Sequence, residues 1–184
     1  MDASGQATVG SVRLCLVGGS GGIEGWSLRD VTATDIDGLP TGRCGDLLPD
    51  SGNNSPHEEG HANGAIRIDH IVVSTPQLAR TAEALEDAGI ELRRVREPGE
   101  PGPPLRQAFF RLGEVILELV EDGRGGQGPA RFWGITFCVG DIAACAQLLG
   151  ERLGEVRPAV QPGRRVAPVR RQAGLGLPVA LISP

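Results

Sequence analysis

Two stretches of this chain run through the same order of elements, and that repeat constrains the fold more than any other feature of the sequence. The first begins with a β-branched run at residues 66–74. Pro76 suits the first turn of a helix, with Thr75 as its cap. Leu78, Ala82, Leu85 and Ala88 recur at helical spacing, and Gly89 ends the element. Three extended pieces follow at 91–96, 105–112 and 115–120, divided by the Pro- and Gly-rich segment 98–104 and by Gly113. The second stretch opens with a strand at 132–139, and Asp141 caps a helix over 142–153 that buries Ile142, Ala146, Leu149 and Leu153. Short extended pieces at 156–160, 165–170 and 179–182 complete it. His70 aligns with Gly134, Leu78 with Ile142 and Leu85 with Leu149 at an offset of 64, and Glu118 aligns with Ala180 at an offset of 62. The fold class is α+β: tandem βαβββ modules at 65–122 and 131–184, forming a cupped mixed sheet in one domain, 65–184, behind an irregular leader.

The preceding residues have a different character. Residues 1–64 hold three Arg against nine acidic groups, whereas 65–184 hold fifteen against fourteen. Residues 1–40 read as an acidic segment with a hairpin, in which a strand at 12–17 returns through 25–31. Residues 41–64 carry turn residues with little apolar to bury and read as a flexible linker. The net charge of −5 and only six aromatic residues argue against a nucleic-acid partner. All 18 basic residues are arginine, which excludes Lys-based Schiff-base chemistry and a P-loop. Four cysteines without a C-x-x-C pair, no secretory signal and no apolar run of membrane-spanning length give the expectation of a cytoplasmic protein with free thiols and no membrane partner.

Two motifs in the leader match signatures without their context. His57-Glu58-Glu59-Gly60-His61 spells H-E-x-x-H, but Pro56, Gly60 and Asn63-Gly64 deny it the helix that would put both imidazoles on one face. Gly18-Gly19-Ser20-Gly21-Gly22 spells G-x-S-x-G after a strand, yet no convincing helix follows, and Glu24 stands where a dinucleotide loop needs its third small residue. Both are expected to be linker or turn.

The pair that points to chemistry lies in the first module. Alternate strand residues share a face, so His70 lies with Ile68 and Val72, and Glu118 with Ile116 and Val120. An imidazole and a carboxylate on otherwise apolar strand faces need partners or a metal, and together they suit zinc, iron, nickel or manganese. The plainer readings are a satisfied core histidine and a carboxylate paired with one of the arginines. The pairs Arg93-Arg94, Arg164-Arg165 and Arg170-Arg171 could line a rim for an anionic small molecule, or form a solvated face.

With Ile68-Asp69-His70-Ile71-Val72-Val73 opening the first module, Val115-Ile116-Leu117-Glu118-Leu119-Val120 closing it, and residues 133–142 opening the second, the chain resembles the vicinal-oxygen-chelate superfamily of glyoxalases, bleomycin-resistance proteins and extradiol dioxygenases. The resemblance covers residues 65–184. It implies one divalent metal held by His70 and Glu118 and a glyoxalase-type lyase, isomerase or oxygenase activity. Gly134 and Ala180 stand where such proteins commonly supply a second His and a second carboxylate, so the ligand set is reduced. The alternative is a metal-free protein of the same fold that binds or sequesters a small molecule. A third reading is an interaction module recognised through its leader. Two copies of the chain facing each other as a homodimer would restore a four-ligand set. The small residues Gly134 and Ala180 also predict extra room opposite His70 and Glu118.

Overall fold

Period-two burial carries the repeat into strands. Along Val115–Glu121, Val115, Leu117 and Leu119 are buried while Ile116, Glu118 and Val120 are only partly so, as a half-buried strand requires. The computed structural model describes residues 5–19, 21–43, 61–100 and 104–184. In chain order the strands are β1 (Gln6–Val9), β2 (Val12–Cys15), β3 (Trp26–Leu28), β4 (Asp35–Ile36), β5 (Leu39–Arg43), β6 (Ala65–Thr75), β7 (Leu92–Arg96), β8 (Gln107–Leu112), β9 (Val115–Glu121), β10 (Arg131–Val139), β11 (Arg157–Pro158), β12 (Arg165–Val169) and β13 (Val179–Ile182). Helix α1 (Leu78–Asp87) follows β6, and α2 (Ile142–Leu149) follows β10. The βαβββ order therefore occurs twice, as the repeat predicts. Among the described residues no helix is long and apolar enough to cross a membrane.

The chain divides into two units, one of residues 1–22, 55–70 and 134–184, the other of 23–54 and 71–133. In the first, β10 pairs parallel with β13, and β12 pairs antiparallel with both β13 and β11. The amide of Gly140 donates to the carbonyl of Gly64, just ahead of β6. The Asp141 carboxylate accepts from the amides of Ala143 and Ala144, the expected cap. Helix α2 ends at Leu149, short of the predicted Leu153, because Gly150 takes φ +53° and starts a 3-10 turn, Gly150–Arg152. Val139, Ile142, Cys145, Leu153, Ala167 and Leu181 form this unit's core. Strand β2 pairs with β1, and the predicted return strand at 25–31 belongs elsewhere.

In the second unit β7, β8 and β9 form an antiparallel run, and the Asp122 amide donates to the Thr75 carbonyl at the end of β6. Helix α1 starts two residues later than expected: Pro76 lies ahead of the first turn and the cap is Gln77, with Thr75 Oγ1 accepting from its amide and Glu121 Oε1 from that of Leu78. Part of the leader is built into this unit. Strand β5 pairs parallel with β3 and antiparallel with β4, and Val31, Ile36 and Leu39 are buried with Leu78, Leu85, Phe110 and Leu117. The turn after β4 is fastened by Asp37, whose carboxylate lies 2.9 Å from Arg80 Nε and accepts from Thr81 Oγ1. Arg80 Nη2 also donates to the Gly128 carbonyl at 2.6 Å.

Candidate functional site

Glu118 takes its orientation from the strand alternation that buries its neighbours. Ala108, Phe110, Leu117 and Leu119 pack with α1, so Gln107, Phe109 and Glu118 lie on the opposite face of β8 and β9. Phe109 stands opposite Glu118 and Gln107 opposite Arg96. The Gln107 side-chain amide donates to Glu118 Oε1, and Arg96 Nη2 reaches the Leu105 carbonyl. Arg96 is only 5% exposed and Gln107 only 3%. A buried guanidinium and amide beside a half-buried carboxylate form a polar strip on the face away from the helix. The sequence reading named Glu118 and passed over Arg96 and Gln107, which the β7–β8 register brings beside it.

His70 is placed in the first unit by an acidic neighbour. Its Nδ1 lies 2.9 Å from Asp69 Oδ2, and its side chain retains 19% exposure. Asp69 Oδ1 accepts from Arg164 Nη2 at 2.6 Å. Arg164 Nε in turn donates to the Ser183 carbonyl at 2.8 Å, and Arg67 is 3.9 Å from Asp69. Burial pushes the Asp69 carboxyl up, but hydrogen bonds and charge from His70 and Arg164 outweigh it and hold the pKa at about 2. An ionised Asp69 selects the tautomer with the proton on Nδ1 and puts the lone pair on Nε2, the orientation in which a histidine serves as base or ligand.

The sign of that shift makes a prediction. A folded pKa of about 2 lies below the ordinary 3.8, so the stabilisation is fully present above pH 3.8 and is lost as pH falls through 2. Discounted for solvent screening, it is on the order of 1 kcal/mol. Urea unfolding at pH 5 and pH 2.5 should show an acid loss in the wild type that Asp69→Asn lacks. Equal acid losses in both proteins would remove Asp69 as its source.

The other flagged residues fall out differently. Arg93 and Arg94 pair with Glu91 and Glu100. Arg164 holds Asp69, a partner 95 residues away that spacing could not indicate. Ser20 and His57 to Gly60 lie outside the described residues, as does Cys44. His61 Nε2 is 2.7 Å from the Thr8 carbonyl, and the chain continues from the glycine turn into β3 instead of a helix.

The expected room at Gly134 is not there. A Cβ on Gly134 would sit 2.7 Å from the Pro178 carbonyl oxygen and 3.2 Å from Pro178 Cβ. The same carbonyl accepts from the Ile135 amide at 3.1 Å. The parallel β10–β13 register brings Pro178 against the position where a second histidine would start, and the backbone fills the space.

No protein-family model matches the sequence, and no curated protein matches it. Solved structures do. The methylmalonyl-CoA epimerase of Mycobacterium tuberculosis superposes with a TM-score of 0.55 at 17% identity, over 69% of this chain and 93% of that one. A Streptomyces coelicolor methylmalonyl-CoA epimerase variant in complex with 2-nitronate-propionyl-CoA gives 0.51 at 22% identity, over 65% and 94%. A hypothetical protein from Bacillus halodurans gives 0.50 at 17%, over 64% and 94%. The chain has the vicinal-oxygen-chelate fold.

The metal chemistry associated with the vicinal-oxygen-chelate fold requires a donor set. A catalytic zinc commonly takes three protein ligands and a water. Among the described residues no three His, Cys, Asp or Glu side chains come together in that way. One oxygen of Glu118 accepts from Gln107, and Asp69 is bound to a guanidinium. With Gly134 closed and Ala180 lacking a donor, the residues do not fit a three-ligand site of this kind.

Proposed function

We propose that the chain is a small-molecule-binding protein that uses the vicinal-oxygen-chelate fold without a resident metal. The observation that carries this reading is the closure of Gly134 against the Pro178 carbonyl. The second module has lost the space for its ligand as well as the ligand itself. Arg96, Gln107 and Glu118 make the sheet face away from α1 polar, which supports a polar ligand more than an apolar one. The Streptomyces coelicolor epimerase variant holds 2-nitronate-propionyl-CoA on this fold, so acyl thioesters and small carboxylates are the first ligand classes to try.

A second reading is favoured by the Asp69–His70 hydrogen bond, which sets the imidazole as metal-binding histidines are commonly set. On that reading the chain is a lyase, isomerase or oxygenase with a reduced ligand set of His70 and Glu118, completed by a second copy in a homodimer. The two readings part on metal content. Elemental analysis of untagged protein should find well under one equivalent on the first reading and a stoichiometric ion on the second.

A further inference from the structure

Within the first unit the leader and the segment ahead of β13 touch backbone to backbone. Hairpin β1–β2 is seated in this unit: Val9 is 4% exposed, and the Thr8 carbonyl lies 2.7 Å from His61 Nε2. Six residues after β2, Gly21 meets Gly176. A Cβ on Gly21 would stand 3.0 Å from both the Cα and the carbonyl oxygen of Gly176, and a Cβ on Gly176 would stand 3.0 Å from Gly21 Cα. Carbon atoms rest about 3.5–4.0 Å apart, so neither position takes a side chain unless one backbone moves off the other. Both residues also hold a positive φ, +94° at Gly21 and +72° at Gly176, which glycine adopts without strain.

Gly176 belongs to the segment that closes the second ligand position. That segment leaves the 3-10 turn Arg171–Ala173 through Gly174 at φ +75° and enters β13 after Pro178. Pro178 comes two residues after the crossing. Its carbonyl accepts from the Ile135 amide and stands 2.7 Å from the place of a Gly134 Cβ. Leu175, Gly176 and Leu177 make no hydrogen bond among the described residues. The segment is therefore bonded at its two ends, and between them it is Gly21 that packs on it. A stretch without ladder bonds belongs to the low-stability end of a fold, where one packing contact weighs most.

We infer that the Gly21–Gly176 crossing is a strap, through which the seated leader bears on residues 174–178 and keeps Pro178 against Gly134. The position of the leader then governs whether the second ligand position is closed. This concerns the regulation of the closed position that carries the metal-free reading, and it rests on that reading.

The test is amide exchange in the full chain, read at Ile135 and compared with Gly140, whose amide is bonded to the Gly64 carbonyl just past the other end of β10. Gly21→Ala should speed Ile135 relative to Gly140 by about tenfold or more. Gly176→Ala opens the crossing from the other side and should do the same. Gly18→Ala is the control, because Gly18 holds a similar φ of +75° with nothing within 4 Å of a Cβ. Its ratio should stay within about twofold of wild type. A double-mutant cycle in urea reads the same coupling: Gly134→Ala should raise the unfolding constant about fivefold less in the Gly21→Ala background than in the wild type. Exchange at Ile135 that is the same in all three variants, or additive Gly21 and Gly134 changes, overturns the strap. A stoichiometric metal in the wild type, with the coupling intact, would instead remove the reading on which it rests.

Discussion

Deleting residues 1–43 is expected to abolish cooperative folding of the second unit. Leu39 has no exposed surface, and Ile36 and Val31 are nearly as buried, in one cluster with Leu78, Leu85 and Phe110. Burial of three such side chains is worth on the order of 5 kcal/mol, comparable with the whole stability of an ordinary domain. The deletion also removes Asp37 and leaves Arg80 and Thr81, which now bond to its carboxylate, without that partner. Because a deletion can fail for unrelated reasons, two point changes accompany it. Leu39→Ala should cost about 2–5 kcal/mol in urea unfolding, and Asp37→Ala about 3 kcal/mol. A deletion protein that unfolds at the wild-type midpoint would show that the leader only decorates the modules.

Gly134→His is expected to destabilise the first unit and to gain no metal. Even the first atom of the new side chain meets the Pro178 carbonyl at 2.7 Å, so the β10–β13 pair must shift before an imidazole can be placed. Gly134→Ala alone should cost roughly 1–3 kcal/mol by overpacking, and the histidine more. Gly140 is the control, because a Cβ there meets only Ile66 Cγ2 at 4.0 Å. Gly140→Ala should stay within about 0.5 kcal/mol of wild type. A Gly134→Ala protein as stable as wild type would mean that the second ligand position is open after all.

The two modules were legible because their signals are local. Leu78, Ala82 and Leu85 face one core from one helix, Asp141 caps from the position its chemistry favours, and the alternation around Glu118 needs only its own strand. In the last module β12 and β13 were legible in place and length, and β11 in place only. The predicted strand at 156–160 survives as Arg157–Pro158, and the chain turns soon after, where the Arg164 amide donates to the Gln161 carbonyl. The leader was read poorly for a different reason. Strands β3 and β5 pair in parallel through partners 15 residues apart, with β4 between them in sequence, and nothing in a three-residue strand such as Trp26–Leu28 announces a distant partner. The candidate site divides in the same way. Glu118 and His70 stood out as ionisable residues on apolar strands, whereas Gln107, Arg96 and the Asp69–Arg164 pair depend on register and on a contact across 95 residues. Pro178 closes Gly134 only once β10 and β13 are set in parallel. Small residues in a sequence suggest space, and here the backbone occupies it.

The most direct test of the metal-free proposal is elemental mass spectrometry of untagged protein purified without chelator, beside His70→Ala. That proposal calls for well below one equivalent of zinc, iron, nickel or manganese in the wild type, and no difference in the variant. One equivalent in the wild type that disappears in His70→Ala would contradict it, and would make His70 a metal ligand on a half-site that two copies of the chain, or the substrate itself, must complete.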